Sequence, residues 1–278
     1  MIKYYNLKSK EYVTEEESTG LKFLYDNVFG RLILKVVISK PIRNIYNKYM
    51  SSGLSKGKIN KFIKKNSINM NEYENEEYSS FNAFFMRRIK DGKRKIEDGL
   101  IAVADSKLSV YKIDDNSSFK IKNSIYTVNE LLQENNDDYK GGYALVFRLC
   151  VDDYHHYVFP DRGEIIRSKH IKGVLHTVQP IAFKRFKVFH ENARVVTTLD
   201  CKNLGIVKYV EVGAMMIGKI VNEHVKEFNK GDEKGHFEFG GSTIVLLIEK
   251  DKININPDII KNSNDGIETI VKMGNSIS

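Results

Sequence analysis

The chain has 278 residues, of which 41% are hydrophobic, so it can bury a sizeable core and its composition argues against global disorder. A net charge of +8 suits an anionic partner: a membrane surface, a nucleic acid or an acidic substrate. Two cysteines, Cys150 and Cys201, without a Cys-x-x-Cys pair make neither a disulfide framework nor a zinc site, and they read as buried thiols.

Residues 1–13 are polar and charged, unlike a secretory leader. Residues 21–39 are the most apolar stretch of the first hundred, but Lys22, Asp26, Arg31 and Lys35 interrupt it, so no membrane span is expected. Leu24, Val28, Leu32, Val36 and Val37 recur at helical spacing, which predicts an amphipathic helix. The pattern runs over residues 21–49, with Pro41 expected to split it into two helices. Residues 55–66 (SKGKINKFIKKN) read as a short basic amphipathic segment. Residues 76–89 read as a helix with Phe81, Phe84 and Phe85 on one face.

The texture changes after Leu100. Short apolar runs at 101–104, 108–113, 143–151, 194–198, 205–212 and 243–248 alternate with Gly, Asn and Asp turns, a β-rich pattern with a helix around 128–134. The expected fold is α+β: a helical, basic, membrane-associating region at residues 1–98 packed on a β-rich catalytic domain at residues 99–278.

The residues that carry chemistry converge on FEFGGSTIVLL at 237–247. Glycines ahead of Ser242 permit backbone conformations that other residues resist, and a strained bond there would help a hydroxyl attack its own upstream carbonyl. Alone, a Gly-Gly-Ser before a strand is an ordinary turn. Other blocks agree with it: SFNAFFMRR (80–88), AVAD (102–105), DYH (153–155), FHENAR (189–194), VEVGAMMIG (210–218) and KGDEKGHFEFGGST (230–243). In this order, over residues 80–248, they resemble the signature blocks of the phosphatidylserine decarboxylase family.

The resemblance implies a pyruvoyl-dependent proenzyme that cleaves itself between Gly241 and Ser242, leaving residues 1–241 and 242–278. It implies that Ser242 becomes the pyruvoyl cofactor, whose ketone acts as the electron sink for decarboxylation. A serine hydroxyl needs a base and a group to orient that base, and His155 and Asp105 are the candidates. The implied reaction turns phosphatidylserine of an anionic membrane into phosphatidylethanolamine and CO₂, by an enzyme held peripherally on the cytoplasmic face. A homodimer is the base-rate expectation for an enzyme of this size.

One departure stands out. The family has a second histidine three positions after the first, and that position is Val158 in DYHHYVFP. His156, beside His155, is an additional candidate, but it reads first as a surface residue. The departure leaves open decarboxylation of another amino acid, or a non-catalytic lipid-binding paralogue. The remaining histidines lack metal-ligand spacing, and no metal is expected. Basic runs at 56–65 and 87–95, with Lys184, Arg185 and Lys187, adjoin the amphipathic region as a monotopic membrane protein requires, whereas no nucleic-acid-binding module is present.

Overall fold

The computed structural model describes residues 1–74, 77–121, 124–215, 219–240 and 242–278. The chain opens on two antiparallel strands, β1 (Ile2–Asn6) and β2 (Glu11–Glu15), where the sequence suggested helix. Three helices follow: α1 (Thr19–Asp26), α2 (Val28–Val37) and α3 (Lys40–Met50). The first break falls at Asn27, whose side chain caps α2 by accepting from the Phe29 and Gly30 amides. Pro41 lies in the first turn of α3, where its missing N–H costs no intrahelical bond.

A 3₁₀ turn (Gly53–Lys58) leads into α4 (Ile59–Lys65). The helix expected at 76–89 is reduced to α5 (Phe81–Phe85), capped by Ser80; Glu76 lies outside the described residues. Phe81, Phe84 and Phe85 share a buried face as the spacing required. The run at 101–104 is buried but is no strand. It crosses the C-terminal segment through the Ile101–Ser276 bridge and the bond from the Ala102 amide to the Asn275 carbonyl.

The β-rich body then runs β3 (Ser106–Lys112), β4 (Ser118–Ile121), β5 (Ser124–Thr127), α6 (Val128–Leu132), β6 (Tyr143–Leu149), β7 (His156–Val158) and β8 (Gly163–Ile171). It continues through α7 (Val188–Glu191), β9 (Arg194–Cys201), β10 (Gly205–Gly213), β11 (Ile220–Asn222), β12 (Glu227–Phe228) and β13 (Glu233–Phe237). It closes with β14 (Ser242–Ile248), α8 (Pro257–Asn264) and β15 (Glu268–Val271).

Ten strands form one sheet in the order β12-β8-β9-β10-β14-β6-β3-β15-β1-β2. Only the β1–β15 pair within it is parallel among the described residues. The first fifteen residues therefore belong to the sheet of the C-terminal half, not to the helical region. A second, three-stranded sheet, β11-β13-β7, carries the segment leading to Ser242.

Strand β14 is internal, and all seven of its residues are buried. This is why STIVLLI lacks the alternation of a half-exposed strand. Both cysteines are buried and free. Leu246 has no exposed surface, and Leu246→Ala is expected to lower unfolding free energy by about 2–5 kcal/mol, measured by denaturant titration.

Candidate active site

Ser242 is the first residue of β14. It faces Leu149 of β6 on one side and Gly213 of β10 on the other. Its hydroxyl is fully buried and has no hydrogen-bond partner among the described residues. Leaving a buried hydroxyl unpaired costs about 1–3 kcal/mol. Gly240 adopts φ +142°, a conformation that favours glycine, two residues before the serine. Gly241 itself lies outside the described residues, as do residues 216–218 of the VEVGAMMIG block.

The segment ahead of Ser242 is held from outside the sheet. The Phe239 amide donates to Asn82 Oδ1 at 2.9 Å, and the Phe239 ring packs on Phe81 and Phe85. That is the physical work of the SFNAFF block. Asn192, from FHENAR, donates to the carbonyls of His176 and Gly213, fixing the strand end opposite Ser242.

His155 is fully buried, its ring 4.0 Å from that of Phe85. Its Nδ1 lies 2.9 Å from the Asp153 carbonyl oxygen. A carbonyl oxygen only accepts, so Nδ1 carries the hydrogen and Nε2 presents a lone pair. Nε2 is buried and has no partner among the described residues. Burial pushes the His155 pKa down to about 3, against the opposing charge of Asp153, so the ring is neutral at pH 7. The turn that ends β6, starting one residue beyond the Leu149 partner of Ser242, leads directly to this histidine.

Asp105 does not orient His155. Its buried carboxylate accepts from Arg94 at 3.1 and 2.8 Å, from Lys272 at 2.9 Å and from the Met273 amide at 2.8 Å. Burial opposes its ionisation, but the charges of Lys272 and Arg94 outweigh burial and hold its pKa below the usual carboxylate range. The orienting contact is made by Asp153 instead. The Asp153 carboxylate accepts from the Cys150 amide at 2.8 Å and Lys107 at 3.1 Å. Against burial, Lys107 and Lys272 bring its pKa down to about 2. The DYH block was the available signal for this residue, since its carbonyl, not its side chain, meets the histidine.

His156 is buried, not a surface residue. Its Nδ1 lies 2.7 Å from Glu233 Oε1 and its Nε2 3.0 Å from the Met86 carbonyl, and the ring stacks between Tyr154 and His236. With both nitrogens engaged it has no free lone pair to act as a base. His156, Glu233 and His236 are the one cluster of metal-ligating side chains among the described residues, and His156 is already spent within it. Val158, where the family's second histidine stands, packs in an apolar cluster with Ile101, Tyr73, Tyr154 and Met273. Part of the second basic run also turns inward: Arg87 donates to the carbonyls of Asp152 and Asp153, and Arg94 to Asp105 and Glu72.

Fold and site together define an α+β protein that presents a buried serine hydroxyl at the head of an inner strand, with a neutral imidazole buried near the same end. The family model for phosphatidylserine decarboxylase matches residues 81–278. The chain is 48% identical to phosphatidylserine decarboxylase proenzyme 2 of Clostridium acetobutylicum, over 98% of this chain and 96% of that protein. It is 39% identical to the phosphatidylserine decarboxylase proenzyme of Clostridium tetani and 40% identical to that of Clostridium kluyveri, each over 100% of this chain and 98% of the relative. The chain belongs to the phosphatidylserine decarboxylase family.

The depressed pKa of His155 has a consequence for stability. The unfolded chain takes up a proton near pH 6.5, whereas the folded chain does so only near pH 3. Stability is therefore full above pH 6.5 and is lost as pH falls toward 3. His155→Gln is expected to reduce the slope of unfolding free energy against pH by about one proton near pH 5, or about 1.4 kcal/mol per pH unit, read from denaturant titrations across that range.

Proposed function

We propose that this chain is a self-cleaving, pyruvoyl-dependent decarboxylase that converts phosphatidylserine to phosphatidylethanolamine and CO₂ at a membrane surface. The observation that carries this reading is the pair of buried, unpartnered polar atoms, Ser242 Oγ and His155 Nε2, in a chain of this family.

Nε2 takes the hydroxyl proton as Ser242 Oγ attacks the Gly241 carbonyl. The amide nitrogen leaves carbon and the oxygen replaces it, giving an ester. Loss of the Ser242 α-proton then expels the Gly241 carboxylate and leaves dehydroalanine. Water adds, ammonia departs, and the new N-terminus of the small fragment bears a ketone. That pyruvoyl group supplies the electron sink for loss of CO₂. With the apolar ring of Phe85 over its face, the neutral His155 would take a proton from the substrate ammonium and pass it to the carbon that loses CO₂. Asp105 acts at one remove, fixing Arg94 and the 272–273 segment.

Mass spectrometry of the purified chain is expected to show residues 1–241 and a ketone-bearing fragment 242–278, about 4 kDa at the chain's mean residue mass. Ser242→Ala is expected to leave one chain, and His155→Ala to slow cleavage by 100-fold or more, within the usual ~10²–10⁴ contribution of general base catalysis. A folded wild-type chain that stays intact would sink the proposal.

The membrane part rests on an apolar face left uncovered. On α2, Val28, Phe29, Leu32, Ile33 and Val36 are exposed while Gly30 and Leu34 face inward. Ile45 on α3 and Leu54 extend the patch at 68% and 82% exposure. Exposed lysines 40, 56, 58, 61, 64 and 65 belong to the adjoining segments. Each basic residue near an anionic surface contributes about 1 kcal/mol, and apolar side chains enter the interface beside them. No described helix is long and apolar enough to cross a membrane. The wild type is expected to float with anionic vesicles, and Phe29→Asp with Leu32→Asp to lower the bound fraction at least tenfold; equal flotation would remove this face from the account.

A further inference from the structure

An open cleft of about 370 Å³ lies between α3 and the ends of β8, β9 and β10. Its lining includes Arg43 of α3, His170 and Lys172 at the end of β8, Arg194 of β9, Gly213 of β10 and Lys219 before β11. No carboxylate lines it among the described residues. Arg194 is occupied elsewhere, since its guanidinium donates to the carbonyls of Glu130, Leu131, His190 and Asn192. Arg43, Lys172 and Lys219 are different: none pairs with a carboxylate among the described residues. Three unpaired cations around one cleft repel each other and add nothing to folding, but they are what a bound anion needs.

Two contacts tie this cleft to Ser242. Gly213, in its wall, is the direct ladder partner of Ser242. Arg43 lies one turn before Tyr46 on the same face of α3, and the Tyr46 ring lies 6.0 Å from Phe239, three residues ahead of Ser242. The same helix exposes Ile42 and Ile45, which place it at the edge of the apolar patch. The cleft thus adjoins both the membrane-facing helices and the reacting residue.

We propose that Arg43, Lys172 and Lys219 form the subsite for the phosphodiester of the lipid headgroup, holding it while the headgroup amine reaches residue 242. This rests on the decarboxylase reading above and adds to it where the substrate's phosphate sits. Arg43 offers a planar fork suited to two phosphate oxygens, and the lysines offer point charges.

The test uses self-cleaved enzyme and a short-chain phosphatidylserine below its micelle concentration, so that no membrane surface contributes. Arg43→Gln, Lys172→Gln and Lys219→Gln are each expected to raise KM about tenfold, equivalent to about 1.4 kcal/mol, while kcat changes less than about threefold. Arg43→Lys is expected to recover part of the loss. Inorganic phosphate should compete with this substrate in the wild type and lose its effect in the triple variant. Calorimetric binding of glycerophosphoserine to the uncleaved Ser242→Ala chain needs no chemistry, so it judges the subsite even if the decarboxylase reading fails; there the triple substitution should abolish binding. An unchanged KM for the soluble substrate with weakened vesicle flotation would mean that the cations serve only to attract the membrane, and would overturn the proposal. So would equal glycerophosphoserine binding by both chains.

Discussion

Asp153 sits in the turn joining β6 to β7, and three parts of the chain meet on it. Its carboxylate closes the turn through the Cys150 amide and anchors the turn to β3 through Lys107. Its carbonyl takes the Nδ1 hydrogen of His155, and Arg87 reaches the same carbonyl from the segment after α5. The protonation pattern of the imidazole follows from these bonds. A lone pair on Nε2 exists because Nδ1 has an acceptor that cannot give a hydrogen back. The charge on Asp153 is kept in a buried place only because Lys107 and Lys272 stand near it.

Around this turn lie the buried pair Asp153–Lys107 and a partly exposed group of Asp105, Arg94, Glu72 and Lys272, with the Lys272 charge acting on both carboxylates, Asp105 and Asp153. Such networks are weak stabilisers, because the cost of removing charges from water is close to the attraction regained. Their yield is geometric: each partner fixes the next. Here the network joins the end of the chain, at residues 272–273, to the turn that aims His155.

Much of this was readable beforehand. The period-3.6 pattern found helix over residues 21–49 but missed the break at Asn27, and the apolar run 243–248 was read as a strand. Motif resemblance singled out Ser242 and His155, and both are buried. What escaped has a common cause. Strands β1 and β2 depend on pairing with β15, more than 250 residues away, which local pattern does not record. The partner of His155 is a backbone carbonyl, and the sequence carries no sign of where a carbonyl points. Arg87 and Arg94 look like surface charge until Asp105 and the 152–153 carbonyls are brought against them. His156 looked exposed because a histidine pair on a strand should diverge; both are buried because β13 and the Met86 carbonyl cover the second.

The position of β14 and β15 bears on the order of events in the life of the molecule. Residues 242–278 supply two internal strands: β14 between β10 and β6, and β15 between β3 and β1. A break at the head of β14 leaves these strands interleaved with the rest, so the small fragment could depart only by tearing the sheet at two places. On the cleavage proposed above, folding would come first, as one connected chain, because β14 and β15 lie inside the sheet. A protein cut there would persist by the height of its unfolding barrier rather than by an equilibrium between its pieces.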